Sequence, residues 1–204
     1  MRETTHPIPV GITGGMGCGK TTVVAAFSAL GVPAFVADRV GASYYQEPDF
    51  CHTVARTLGA DLLATPDTID KVRLAQRVFA DTEALAALNA LVHPRVMADF
   101  DQWLRQQQSP YVLFESAILF DCGLDSRMAA TIVVYLDRAE RMRRLLLRDP
   151  LSEEQIAARM ARQLPPEVLL DRADYVILNY EGNPRQRQVQ YVHRQILSHI
   201  IHTS

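Results

Sequence analysis

Gly14-Gly15-Met16-Gly17-Cys18-Gly19-Lys20-Thr21 satisfies the pattern G-x-x-x-x-G-K-[ST] at every position. Each residue type has a physical task there. Glycines let successive backbone N–H groups turn toward one anion, where a Cβ would obstruct them. A helix that begins inside the loop directs its positive end at the same anion. Lys20 is expected to reach the β- and γ-phosphates of a nucleoside triphosphate, and the Thr21 hydroxyl is placed to hold Mg²⁺. The competing account is a glycine-rich turn that binds nothing. The flanks favour a phosphate cradle, since the apolar run Ile8 to Thr13 precedes the loop and a helical face of Val23, Phe27 and Leu30 follows it. Gly31 is a plausible stop for that helix.

Working outward, Ala34 to Ala37 suggests a second short strand, with Asp38 directly after it. In a doubly wound sheet ligands bind at the carboxyl ends of strands, so Asp38 could take the proton of an attacking hydroxyl or hold the magnesium shell. It could equally be the N-cap of a helix starting at Arg39. Residues 39 to 108 show helical periodicity and no internal strand, with Leu85, Leu88 and Val92 on one face. Asp81 stands at an N-cap position there, and Pro94 is expected to open a further helix carrying Met97, Phe100 and Leu104. The α/β pattern resumes with strands at Tyr111 to Phe114, Thr131 to Leu136 and Tyr175 to Leu178. Asp137 with Glu140, and Ser152 with Gln155, form capping-box patterns. Asn183 and Pro184 start a terminal helix striped by Val189, Val192, Ile196 and Ile200. Strands alternating with helices imply a parallel sheet covered on both faces.

Two further acids, Glu115 and Asp121, flank the end of the third core strand as metal or substrate ligands or as ordinary loop acids. Arg138, Arg141, Arg143, Arg144 and Arg148 crowd one helix, and Arg159 and Arg162 follow on the next. They suit a flap that closes over a triphosphate, or a solvated face paired with Glu140, Glu153 and Glu154. The chain has 204 residues, a net charge of -2 and 48% hydrophobic residues, which implies one compact unit or a core with modest insertions, and no bulk attraction to nucleic acid or membrane. Cys18, Cys51 and Cys122 form no metal or disulfide pattern, Met1 to Pro9 has no apolar signal region, and no apolar run has the length of a membrane span. A cytoplasmic setting is expected, as a monomer or weak homo-oligomer. The sequence has neither a guanine-reading N-K-x-D nor an apolar run closing in Asp-Glu, which disfavours GTPase switches and transport ATPases.

The chain resembles bacterial dephospho-CoA kinases over roughly residues 8 to 195. The loop, the segment Leu30-Gly31-Val32 through Asp38, and Asp70-Lys71 through Phe79 carry the first half of the likeness. Leu88-Asn89-Ala90-Leu91-Val92-His93-Pro94 resembles the family's L-N-x-I-x-H-P. Arg144, Arg148, Ser152, Arg159 and Gln163 match its lid pattern, and Ala173-Asp174-Tyr175-Val176-Ile177 with Asn179 resembles A-D-Y-V-I-x-N. The chain departs from the family at Cys18, Val36, Lys71, Ala117 and Pro150.

The resemblance implies a P-loop NTPase three-layer α/β sandwich with a five-stranded parallel sheet in the order 2-3-1-4-5. It implies a core of residues 1–38, 109–137 and 166–204, a helical acceptor-binding insertion at 39–108 and a lid at 138–165. The implied activity is ATP- and Mg²⁺-dependent phosphorylation of the ribose 3′-hydroxyl of dephospho-CoA, the final step of coenzyme A synthesis. Asp38, Lys20, Arg144 and Arg148 are then catalytic, and Thr21 holds the metal. Gly15, Met16, Gly17, Cys18, Gly19, Lys20, Thr21, Thr22, Arg148 and Asn179 bind ATP, while Asp38, Lys71, His93, Arg159 and Gln163 bind the acceptor. A nucleoside or nucleotide kinase of the same fold, and a nucleotide-dependent binding module without transfer activity, are the alternatives.

Overall fold

Ile8–Thr13 forms β1, the central strand of a sheet built from short apolar segments. The computed structural model describes residues 7 to 203. After the loop come α1 (Lys20–Ser28) and β2 (Ala34–Val36). The chain then passes through α2 (Ala37–Ser43), α3 (Pro48–Leu58), β3 (Leu63–Thr65), β4 (Thr68–Ile69), α4 (Lys71–Ala80) and α5 (Thr82–Leu104). It returns with β5 (Tyr111–Glu115), β6 (Ala130–Tyr135), α6 (Arg138–Arg148), α7 (Glu153–Met160), α8 (Pro166–Asp171), β7 (Tyr175–Leu178) and α9 (Arg185–Thr203).

The five-stranded sheet runs β2-β5-β1-β6-β7 with every pairing parallel. Counted along the sheet's own strands this is the expected order 2-3-1-4-5. Pro9 is unusual in a central strand because it has no N–H for the ladder. It is tolerated here because pairing with β6 begins only at Val10, opposite Ala130. The crossovers bring Ile12, Glu115 and Val36 into one row at the carboxyl edge of the sheet.

Packing follows the apolar pattern. Val23, Val24 and Phe27 of α1, with Val189, Val192 and Ile196 of α9, bury the sheet residues Val10, Ile12, Leu113, Ile132, Val134 and Ile177. Phe27 is fully buried, so Phe27→Ala would cost about 3–5 kcal/mol. α1 ends as expected near Gly31, where Gly31 N–H bonds Ser28 O at 2.9 Å and Val32 N–H bonds Phe27 O at 3.3 Å. Behind the sheet, Phe120, Val133 and Leu169 form a smaller cluster.

The segment Ala37–Trp103 is a compact unit, and the chain before and after it forms the other. Within Ala37–Trp103 two expectations fail. The segment does contain strands: β3 and β4 pair as an antiparallel hairpin. The turn Pro66-Asp67 closes it, Thr65 and Thr68 hydroxyls bond at 2.7 Å, and buried Leu62 and Ile69 anchor its ends. Pro94 does not open a helix either, but lies inside α5. An interior proline removes one helical hydrogen bond. The buried stripe Ala84, Leu88, Val96, Met97 and Phe100 runs past it on both sides, so packing carries the helix through. Asp81 does cap α5, its Oδ1 accepting from Glu83 and Ala84 N–H.

Candidate phosphate-binding site

β1 delivers the chain to the loop and α1 leaves it at Lys20. Gly17 and Gly19 have φ of 83° and 86°, a left-handed backbone that side chains resist. Cys18 N–H bonds Gly15 O at 3.1 Å, tightening the bend. Gly19 is the N-cap of α1 and brings no side-chain cap. Among the described residues, no carbonyl or side chain accepts from the N–H groups of Gly17, Gly19, Lys20 or Thr21. Four neighbouring donors without acceptors, at the positive end of a helix, are a cradle for an anion. Lys20 is half-buried, not exposed, and its Nζ donates to Gly14 O at 2.9 Å. Thr21 and Thr22 are exposed beside it. Cys18 points the other way, into the core at 1% exposure. Its thiol pKa is pushed up by burial, which outweighs the opposing pull of Lys20.

The outside of the loop is braced by other elements. A Cβ on Gly19 would lie 2.2 Å from Asn179 Nδ2, one on Gly17 would lie 2.9 Å from Leu145 Cγ, and one on Gly15 would collide with the Arg141 guanidinium. Asn179, 2% exposed just after β7, donates from Nδ2 to Cys18 O at 2.7 Å and accepts from Arg185 Nε at 2.7 Å. Gln163 accepts from Met16 N–H at 2.7 Å. Met16 also packs against the cluster of Leu145, Ile156 and Met160, joining the loop to α6 and α7.

Helix α6 starts at Asp137, whose carboxylate caps Glu140 N–H at 2.9 Å. The expected reciprocal half of that box is absent, because the Glu140 carboxylate bonds Arg143 and Arg144 instead. These two guanidinium groups hold Glu140 down to about 2. Ser152 and Gln155 do form the full box at α7.

The predicted residues separate into groups. Lys20, Thr21, Cys18, Asn179 and Gln163 meet at the loop. Arg144 is near it, donating to Asn179 O at 3.0 Å, while the Arg148 guanidinium pairs with Asp149 and faces outward. Arg159 is exposed on α7. Glu115 is buried at the carboxyl edge of the sheet. Asp121 lies on the surface, where partial desolvation raises its pKa.

In the Ala37–Trp103 unit, Asp38 is exposed in the first turn of α2. That helix begins at Ala37 and not at Arg39, so Asp38 is not its N-cap. Lys71 Nζ stands 5.9 Å over the Tyr45 ring. His93 is half-buried on α5, its pKa lowered by burial. Neither lines the open cavity of about 520 Å³ between α3 and the hairpin, whose walls include Asp49, His52, Thr53 and Arg56. Sequence reasoning singled out Arg141 only as one of five arginines on α6. Its spacing of four from Leu145 is the signal that it shares the inward face.

The family model for dephospho-CoA kinase matches residues 8–184. Dephospho-CoA kinases of Sodalis glossinidius and Chlorobaculum tepidum are 33% and 34% identical to the chain, covering 93% and 94% of it and 92% and 96% of their own lengths. A crystal structure from Thermus thermophilus superposes with a TM-score of 0.83 at 31% identity, over 96% of this chain and 98% of that one. A shikimate kinase from Bacteroides thetaiotaomicron shares the fold at a TM-score of 0.52 and 18% identity, covering 93% and 98% of the two chains.

Proposed function

We infer the activity from one premise: the chain belongs to the dephospho-CoA kinase family. It is a kinase that phosphorylates dephospho-CoA with ATP, the last step of coenzyme A synthesis. We propose the ribose 3′-hydroxyl as the acceptor atom. The observation that carries the donor half is the set of unpartnered N–H groups at Gly17, Gly19, Lys20 and Thr21. Three negatively charged phosphate groups would supply the acceptors those donors lack.

In this reading the triphosphate lies in the loop and Lys20 leaves Gly14 O to neutralise the β- and γ-phosphates. Phosphoryl transfer is mostly positioning and charge stabilisation, so a fixed cradle is the main requirement. Mg²⁺ commonly needs only one or two protein ligands, the rest being water and substrate phosphate. The exposed Thr21 hydroxyl beside the cradle fits that demand. The metal, if bound there, would supply positive charge to offset that of the phosphates. Arg144, which donates to Asn179 O beside Gly19 of the loop, is the lid arginine proposed to contact the phosphates.

Asp38 is proposed as the base that accepts the hydroxyl proton. Its support is its exposure and its position two residues past the carboxyl end of β2. Lys71, His93 and Arg159 are proposed to bind the acceptor. Cys18, Cys51 and Cys122 take part in no disulfide, which fits a reducing cytoplasm. Among the described residues no helix is long and apolar enough to cross a membrane.

A coupled ADP-release assay tests the reading. With Mg²⁺ and ATP, dephospho-CoA should be turned over, and adenosine and the nucleoside monophosphates should not. Preferential turnover of a nucleoside monophosphate would assign the same loop to a nucleotide kinase. ATP binding with no turnover of any acceptor would leave a binding module.

A further inference from the structure

Arg141 is a buried charge that the reading above does not use. It is 7% exposed on the inward face of α6, and its Nε has no hydrogen-bond partner. Among the described residues no carboxylate pairs with its guanidinium. The nearest acid on its own helix, Asp137 one turn earlier, is committed to capping Glu140 N–H. Arg138 adds like charge on the same turn. The guanidinium sits against Gly15, in the space a side chain at that position would fill, and shares a small cleft with Gly15, Val134, Leu136 and Leu169. Leu145, one turn further on, occupies the corresponding place against Gly17. Desolvation lowers the Arg141 pKa, opposed by the neighbouring Cys18, Tyr135 and Asp137.

A buried unpaired cation destabilises a protein unless some state of the molecule supplies its counter-charge. The loop in front of it offers unpartnered N–H groups to an anion, and the low dielectric between them leaves the attraction only weakly screened. We propose that Arg141 is a positioning residue for the phosphates: a fixed charge behind the Gly14–Thr21 loop whose counter-ion is the bound triphosphate. It acts across the loop and does not touch the substrate. The inference rests on the loop being the nucleotide site.

Such a residue stabilises the complex and destabilises the empty protein, and this split sign separates it from a packing residue. The test compares Arg141→Met, Arg141→Gln and Arg141→Lys with the wild type, using melting of the ligand-free chain and calorimetric titration with MgATP. Arg141→Met keeps most of the volume and removes the charge. It should raise the ligand-free Tm by about 2–4 °C and weaken MgATP by about tenfold. Arg141→Gln should weaken MgATP similarly, and Arg141→Lys should retain most of the affinity.

A lower Tm with unchanged affinity in Arg141→Met and Arg141→Gln would overturn the proposal and leave Arg141 a packing residue. Equal loss in Arg141→Lys would also overturn it, because geometry and not charge would then matter. Failure of the wild type itself to bind MgATP would instead sink the loop assignment, so the two readings fail separately.

Discussion

The Gly14–Thr21 loop and the Ala37–Trp103 unit hold their parts in place by different means. At the loop, Gly15, Gly17 and Gly19 are met by Arg141, Leu145 and Asn179, side chains more than a hundred residues away in sequence. Ala37–Trp103 has polar and aromatic contacts between its own residues. Arg95 lies 4.2 Å over the Tyr44 ring and 5.5 Å from Phe50, and pairs with Glu47. Tyr44 donates to Asp99 at 2.6 Å. The loop therefore depends on the correct assembly of two distant elements, α6 and the segment after β7, and an error in either reaches its backbone. The Arg95 contacts in the helical unit are modest ones, a cation–π contact and a part-exposed ion pair.

Lys20→Ala should mark one extreme of that contrast. It should leave no detectable transfer, because no other group in the loop supplies its charge to the phosphates. The side chain makes one hydrogen bond, to Gly14 O, so Tm should stay close to wild type. Wild-type turnover would end the assignment of the loop.

Asp38→Asn carries the contrast into the other unit. As the proposed base, it should lower kcat by roughly 10²–10⁴ with ATP affinity intact. Asp38 is exposed in the first turn of α2, where its charge contributes about 0.3–1 kcal/mol through the helix dipole that Asn would lose. Unchanged kcat would remove Asp38 as the base.

Asn179→Ala removes the brace. It strands the buried Cys18 carbonyl and the Arg185 Nε, a cost of about 1–3 kcal/mol in urea denaturation. MgATP affinity should fall with it, since Cys18 belongs to the loop. Arg95→Ala should cost about 0.5–1 kcal/mol, the scale of a partly exposed cation–π contact with a surface ion pair. If Arg95→Ala proves costlier than Asn179→Ala, the contrast between the regions is wrong.

The smallest effect expected is one of pH. Arg143 and Arg144 hold the Glu140 carboxyl at about 2 against an ordinary 4.5. A depressed carboxyl stabilises the fold fully above the ordinary value and loses that contribution as pH falls toward the folded one. Wild type should therefore be slightly more stable than Glu140→Gln at pH 7, and the gap should narrow between pH 4.5 and pH 2. A gap independent of pH would remove the charge from the explanation.

Local chemistry made much of the core legible. The loop, the Asp81 and Asp137 caps and the Ser152–Gln155 box are short-range patterns, and each is present. The strand order came through the family resemblance, because nothing in five apolar segments specifies which lie side by side. The β3–β4 hairpin escaped notice because its strands are only three and two residues long, too short for alternation to register. Its Pro66-Asp67 turn was the available signal. Pro94 misled for the opposite reason: a strong local breaker lost to the packed stripe on either side of it. That Arg141 and Gln163 meet the loop could not be read locally, since the loop lies about 125 to 150 residues upstream.

Cys18 has a practical consequence for anyone labelling this enzyme. A thiol within a nucleotide-binding loop looks like an obvious target for maleimides and other electrophiles. Here the sulfur faces the core and burial keeps it protonated at neutral pH, so the reactive thiolate is scarce and sterically sealed. Cys51 is buried as deeply. Cys122, half-buried after β5, is the thiol such reagents would meet first. A fluorophore coupled to the native chain would accordingly report from Cys122 and leave the cradle chemically untouched.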